Sequence, residues 1–226
     1  MVEASVLAGK WQQGSDRPTL EQGALHVWRA DLTTVGKECL EQLSGPEQER
    51  AERFLREEDG RRWALSRGLL RTLLGRYLRI DGGELLLVIG EHGKPELAGA
   101  APLPCFNLSH SREIALYAFS GTDPVGVDVE LSRPSVDAVA IARRMIGAAE
   151  AERLSALDPA QRAEEFLRLW TRHEAELKCL GVGIGGEPRA GLGPRPWIAE
   201  LEMEAGAAAA VAVATPPSIL RCWQVP

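Results

Sequence analysis

The 226-residue chain has no closely spaced cysteines: Cys39, Cys105, Cys179 and Cys222 lie far apart and form no C-x-x-C pair. That spacing excludes the common zinc signatures and gives no support to a disulfide framework, so thiols kept reduced in a cytosol are expected. Long apolar runs are missing as well. The most apolar stretch, Ala207 to Ala214, is far too short to cross a bilayer and reads as a buried strand. No N-terminal segment pairs a basic stretch with an apolar core and a small-residue cleavage site, so no signal peptide is expected. These absences predict a cytoplasmic protein without a membrane partner. Positive charge is not in excess either: the formal net charge is −6, which argues against general nucleic-acid binding and requires a local basic cluster for any anionic ligand. A Walker A loop, a G-x-G-x-x-G run and a G-x-S-x-G elbow are all lacking. His173-Glu174 begins like the zinc-protease motif H-E-x-x-H, but Leu177 stands where the second histidine must be.

What is present is an ordinary globular composition, 45% hydrophobic and 26% charged, which can bury a core in one large domain or two small lobes. Rough alternation predicts an opening strand over Ala24 to Leu32. Helical spacing runs from Pro46 to about Leu78, with Asp59-Gly60 as its expected interruption. A buried strand is expected at Leu85 to Ile89, then a turn-rich loop from Gly90 to Pro104. Strands follow near Cys105 to Leu108, Ile114 to Phe119 and Val125 to Glu130. Helices are expected near Val136 to Met145, Ala148 to Leu157 and Pro159 to Leu180, the last stopped by Gly181. Three strands close the chain, near Trp197 to Met203, Ala207 to Ala214 and Leu220 to Val225. The mix of elements is similar in each half, which is compatible with two related α+β lobes, residues 1–122 and 123–226. The glycine-rich loop Gly181 to Pro196 is the expected mobile element.

Three clusters could carry chemistry. In Val125-Gly-Val-Asp-Val-Glu130, Asp128 and Glu130 are two apart on a strand and leave the same face, with the valines directed to the core. Two carboxylates held together call for a cation or a proton between them, and all-oxygen ligands favour magnesium. A solvated acidic edge strand is an equally good reading of this hexapeptide alone. In Leu169 to Lys178, the residues Trp170, Glu174 and Lys178 share a helical face: Glu174 could be a ligand or base and Lys178 a phosphate contact, or the two could be a surface ion pair. In Cys105-Phe-Asn-Leu-Ser-His-Ser111, polar side chains gather at a strand end, although a lone histidine is more often structural than functional. Lys94 sits on a tight turn before Pro95, and Arg50, Arg53, Arg61, Arg62 and Arg67 give a basic helical surface whose guanidinium groups match phosphate.

Taken in order, Gly93-Lys-Pro95, Phe106-Asn-Leu-Ser-His-Ser111, Gly126-Val-Asp-Val-Glu130, Trp170-Thr-x-x-Glu-Ala-x-x-x-Lys178 and Gly181-Val-Gly-Ile184 resemble the phosphopantetheinyl transferases of the type that activates surfactin synthetase. The resemblance runs from about Pro46 to Ile184. It implies two similar α/β lobes in a pseudo-twofold arrangement, with the active site in the cleft between them, working as a monomer. It implies transfer of 4'-phosphopantetheine from coenzyme A to a serine of an apo acyl, peptidyl or polyketide carrier protein, with adenosine 3',5'-bisphosphate released. Asp128, Glu130 and Glu174 would hold magnesium, or manganese in its place. Glu174 and Lys178 would be catalytic. Ser109, His110, Lys94 with Pro95, and Lys178 would contact the phosphates of coenzyme A, and Arg62 with Arg50 or Arg53 its 3'-phosphate end. The chain departs from the family where a lysine commonly precedes the helix glutamate, having His173 there, and it has no lysine over Pro46 to Glu49. A different magnesium-dependent phosphotransferase and a non-catalytic carrier-binding relative are the rival classes.

Overall fold

A computed structural model describes residues 10–90, 93–99, 104–132, 137–182 and 194–225 of the chain. The first unit opens with β1 (Gln12–Gln13) and β2 (Ala24–Asp31), followed by α1 (Gly45–Glu52) and α2 (Glu57–Leu78). A two-stranded hairpin of β3 (Leu87–Ile89) and β4 (Pro95–Leu97) leads into β5 (Cys105–Ser111) and β6 (Ile114–Ser120). The second unit has β7 (Val125–Leu131), then α3 (Ala138–Met145), α4 (Ala148–Ser155) and α5 (Pro159–Leu180), then β8 (Trp197–Leu201) and β9 (Ala207–Val213). The chain returns as β10 (Ile219–Gln224) to pair in parallel with β2 of the first sheet.

Both units repeat one topology. In the first sheet β2 lies beside β6 and β6 beside β5, all antiparallel; in the second, β7 lies beside β9 and β9 beside β8, again antiparallel. Each is a strand, a helical stretch and a hairpin, with the first strand next to the last. The protein is thus two-lobed and mixed α/β, and the repetition is one of topology without an evident residue repeat.

Burial stacks these units in four layers. Trp28, Leu65, Leu69, Leu73, Tyr117 and Phe119 fill the space between α2 and the first sheet. Leu25, Val27, Leu116 and Ala118 on the other face of that sheet meet Val125, Val127, Val129, Val211 and Val213 of the second. On the far side, Ala175 and Cys179 of α5 pack on Ala210 and Ala212. The period-two alternation of β7 therefore sends its valines inward between the sheets and turns Asp128 and Glu130 toward α5.

Local chemistry explains where elements start and stop. Asp158 caps α5 by accepting from the amides of Ala160 and Gln161, Pro159 occupies the first turn, and Gly181 ends the helix at φ 72°. Two expectations are corrected. The helical run breaks at residues 53–56, and Asp59-Gly60 lies inside the first turn of α2. Gly60 serves close packing there, since a Cβ would collide with the carbonyl of Ala51. The segment Leu85 to Ile89 is not a buried strand: only Leu87 to Ile89 is extended, Leu86 is 74% exposed, and Val88 and Ile89 are exposed as well. Its hairpin lies outside both main sheets. Within the expected loop Gly90 to Pro104, β4 is a short strand. Most of the glycine-rich loop Gly181 to Pro196, with Gly183-Ile184 of the last motif, lies outside the described residues.

Candidate functional site

The close approach of α5 to β7 creates the site. Gly126 makes it feasible: a Cβ there would overlap the carbonyl of Ala175 and the amide of Cys179, and would stand 2.9 Å from Lys178 Cβ. The α5 face bearing Glu174 and Lys178 consequently lies directly over Asp128. Lys178 Nζ donates to Asp128 Oδ1 at 2.7 Å and to the Val127 carbonyl at 3.1 Å. Lys178 therefore pairs across the site and not with Glu174 one turn before it. Asp128 is 4% exposed and Glu174 5%, which rules out a solvated acidic strand and a surface Glu–Lys pair.

Two buried oxygens here have no hydrogen-bond partner, Asp128 Oδ2 and Glu174 Oε1. Burial pushes the Glu174 carboxyl above the usual range, the Asp128 charge adds to this, Lys178 opposes it, and Glu130 raises it further. The three acidic groups thus feel one another electrostatically.

Strand β5 of the first lobe supplies the other wall. Asn107 Oδ1 accepts the Val127 amide at 2.9 Å, Ser109 Oγ donates to Asp128 Oδ1 at 2.8 Å, and Ser111 Oγ donates to Glu130 Oε2 at 3.0 Å. Ser111 Oγ also accepts from the Leu131 amide at 3.3 Å. Two amides on the backbone edge of β7 are in this way met by side chains of a strand in a different sheet. Between Ser109 and Ser111, His110 points to solvent. Partial desolvation holds its imidazole below the ordinary range, repulsion from Lys178 and Arg62 adds to this and Asp59 opposes it, which places both cations near the ring. Lys94 is near enough to lower the Cys105 and Cys179 thiols against the burial that raises them, and Pro95 beside it is buried in β4. None of the four cysteines is in a disulfide.

The arginines on α1 and α2 are less concentrated. Arg62 is held by Glu113, Glu58 and Asp59, and Arg53 bonds the Glu49 carboxylate at 3.1 Å on an exposed turn. Arg50 lies over the Trp63 ring, 5.1 Å from its centroid, with Arg67 at 5.4 Å from the same ring. Asp128, Glu174, Lys178 and Ser109 are therefore brought together, Glu130 and His110 adjoin them, and Arg50 and Arg53 have no contact with that group among the described residues. Asn107, Ser111 and Gly126 lie in stretches that the sequence singled out, but it gave none of the three an individual role in the site. The alternation Asn107-x-Ser109-x-Ser111 was the available signal, because three polar residues on one strand face need partners.

Among the described residues no three histidine, cysteine or acidic side chains already converge as a metal cage. Lys178 and Ser109 both engage Asp128 Oδ1. The chemistry of the donor set still fits a hard divalent cation: two orphaned buried oxygens sit on mutually repelling carboxylates, and every available donor is oxygen. Beside Glu130, a largely apolar cavity of about 490 Å³ opens between α3 and the first half of α5, lined by Ile141, Phe166, Leu167 and Trp170. No helix among the described residues is long and apolar enough to cross a membrane.

Comparison with known proteins agrees with this architecture. Residues 124–209 match the family described as the 4'-phosphopantetheinyl transferase superfamily, and residues 28–121 match the N-terminal region of a 4'-phosphopantetheinyl transferase. The chain is 36% identical over 184 residues to the 4'-phosphopantetheinyl transferase HetI of Nostoc sp., covering 79% of this chain and 78% of that protein. It is 30% identical over 142 residues to the 4'-phosphopantetheinyl transferase Sfp of Bacillus subtilis, covering 63% of this chain and 62% of the relative. Against the 4'-phosphopantetheinyl transferase AcpT of Escherichia coli K12 it is 36% identical over 120 residues, covering 53% and 57%. The alignment thus spans most of HetI but less than two thirds of Sfp and AcpT.

Proposed function

We propose, from the premise that this chain belongs to the 4'-phosphopantetheinyl transferases, that it moves the phosphopantetheine arm of coenzyme A onto a serine of an apo acyl, peptidyl or polyketide carrier protein. The single observation that carries the reading to this chain is the buried Asp128–Lys178–Ser109 contact with orphaned Asp128 and Glu174 oxygens beside it. Residues 1–122 and 123–226 are its two lobes, with β10 lent back to the first. It acts as a cytoplasmic monomer with no nucleic-acid or membrane partner.

Asp128, Glu130 and Glu174 would hold a magnesium ion, or manganese in its place. When bound, that ion supplies charge neutralisation at the pyrophosphate oxygens of coenzyme A. The chain's own residues do the rest. Lys178, His110 and Lys94 would bind and orient the phosphates, with Ser109 fixing Asp128 beside them and Pro95 stiffening the turn that carries Lys94. Arg50, freer than Arg53 or Arg62, is the better placed of the three for the 3'-phosphate, since the other two would first have to release a carboxylate. The apolar cavity beside Glu130 has the size and lining to receive the arm and exclude water.

In the transfer, the carrier serine oxygen forms a bond to the β-phosphorus while the bond from that phosphorus to the bridging oxygen breaks. The leaving adenosine 3',5'-bisphosphate keeps the electron pair. Glu174, on the α5 face over Asp128, takes the serine proton directly or through a water. Lys178 holds the transferring phosphoryl oxygens, so that positioning and electrostatics supply most of the rate.

Incubation with coenzyme A and a panel of apo-carriers tests the reading by mass spectrometry. One carrier gains the mass of a single phosphopantetheine in the presence of magnesium, and Asp128→Ala abolishes the gain while the protein stays folded. Unaltered transfer by that variant would remove Asp128 from the site, and failure with every carrier would favour another phosphotransferase.

A further inference from the structure

Strand β7 is the outer strand of its sheet, so one row of its backbone groups has no neighbouring strand. Such groups must find partners when buried. Here two of the amides find side chains on one face of β5: Asn107 takes the Val127 amide and Ser111 the Leu131 amide. The two residues are 5% and 4% exposed, so they form a buried polar seam between the lobes.

We propose that Ser111 is a positioning residue for Glu130: through this seam the first lobe sets the direction of an acidic side chain that belongs to the second. The inference rests on the metal site proposed above. A serine hydroxyl has one proton to give. At Ser111 the proton goes to Glu130 Oε2 at 3.0 Å while the oxygen accepts the Leu131 amide at 3.3 Å. The hydroxyl is thus anchored by the backbone of the residue next to Glu130, and its donor direction is fixed. A carboxylate on three χ torsions is thereby restrained before any ligand arrives. Ser109 does the same for Asp128, where Lys178 shares the oxygen. Groups that orient a metal ligand commonly change affinity by about 10–100-fold when removed.

The test uses the full chain and manganese as the probe, with binding read from the free-ion paramagnetic signal. Ser111→Ala is expected to weaken manganese binding by about tenfold. The magnesium concentration for half-maximal transfer should rise in parallel, with the KM for the carrier unchanged. Ser111→Cys keeps the side-chain shape with a weak donor and gives the same result if the alanine variant is poorly recovered. Tyr117→Phe is the structural control: it removes a buried hydrogen bond to Ser66 in the first lobe, so it should lower the melting temperature without moving manganese affinity. Wild-type affinity in both Ser111 variants would overturn the positioning role and leave the transferase reading standing. A wild-type chain that binds no manganese at all, with or without coenzyme A, would overturn the metal site and this inference with it.

Discussion

Gly126→Ala adds one methyl group at the point where the second sheet touches α5. The backbone at Gly126 is not in the left-handed region, so the substitution strains no torsion. The whole effect is steric. Its Cβ would overlap the Ala175 carbonyl and the Cys179 amide, both backbone atoms of a 22-residue helix, and stand 2.9 Å from Lys178 Cβ. Neither backbone group can swing aside alone, so α5 must withdraw by about 1 Å to restore van der Waals separation. Overpacking of this kind costs about 1–3 kcal/mol, which for a chain of this size lowers the melting temperature by roughly 2–12 °C. The functional effect is larger, because the withdrawn segment carries both Glu174 and Lys178. The 2.7 Å bond between Lys178 and Asp128 would stretch beyond hydrogen-bonding range. A displacement of about 1 Å in a positioned group can cost on the order of 100-fold in rate. The assay is phosphopantetheine transfer at saturating coenzyme A and carrier, alongside a thermal melt. Gly121→Ala, where a Cβ meets nothing within 4 Å, is the matched control and should behave as wild type. If Gly126→Ala transfers at the wild-type rate with an unchanged melting temperature, α5 is not held against β7 by this contact and the site geometry argued here is wrong.

Removing the resident cation from the carboxylates should change how the site takes up metal. Lys178→Met leaves Asp128 Oδ1 without its ammonium partner, so manganese should bind more tightly in the absence of coenzyme A while transfer falls; equal affinity in variant and wild type would refute this. A second expectation concerns acid stability. Tyr77 Oη accepts the Trp28 indole N–H, so its own proton faces His26 Nδ1, which places the imidazole proton on Nε2, 3.5 Å from Glu21. Burial is the main cause that lowers the His26 pKa to about 4, with Glu21 opposing and Arg221 assisting. A depressed histidine destabilises as pH falls: between pH 6.5 and 4 the unfolded imidazole takes a proton that the folded one refuses. The loss approaches about 3 kcal/mol by the conversion of 1.36 kcal/mol per unit. Urea melts from pH 7 to 4 should show a flatter stability curve for His26→Gln than for wild type, and parallel curves would refute the assignment.

Periodicity and capping made most of the second lobe legible. Val125 to Glu130 alternates cleanly, and α5 runs between an Asp-Pro start and a glycine stop, so both elements could be placed within a residue or so. The site residues on them followed, because Asp128 with Glu130 and Trp170 with Glu174 and Lys178 are spaced for one face each. The partner of Lys178 did not follow: i,i+4 spacing points to Glu174, while the true contact lies 50 residues away and depends on how α5 rests on β7. The break between α1 and α2 was misread for a related reason. Asp-Gly is a turn signal locally, but the packing of α2 on α1 needs a residue without a Cβ at position 60. The exposed hairpin at Leu87 to Ile89 has the apolar composition of a buried strand, and nothing local reveals that it lies outside both sheets. Nor does local pattern reveal that β10 crosses back to β2, since a returning strand has the same alternation as one that stays.

The alanine run of β9 also takes its meaning from the site. Read alone it is low-complexity sequence; in the fold its alternate residues face two different neighbours. Ala209, with Val211 and Val213, joins the core between the sheets, while Ala210 and Ala212 meet Ala175 and Cys179 of α5. Ala210 is also the registered partner of Asp128, and Ala212 that of Gly126. Small side chains on this face let a helix backbone come close, as a row of leucines could not, and closeness is what the chemistry requires. Burying Asp128 and Glu174 with oxygens left unpaired is unfavourable, and most of their compensation must come from packing elsewhere. The fold meets this by keeping the apolar area in the valine-rich layer between the sheets and reserving the thin, small-residue layer for the charges. Substituting Ala210 or Ala212 with valine would therefore act as Gly126→Ala does, by moving α5 outward. Its effect on transfer should exceed its effect on stability, because the layer it thickens contributes geometry more than hydrophobic area.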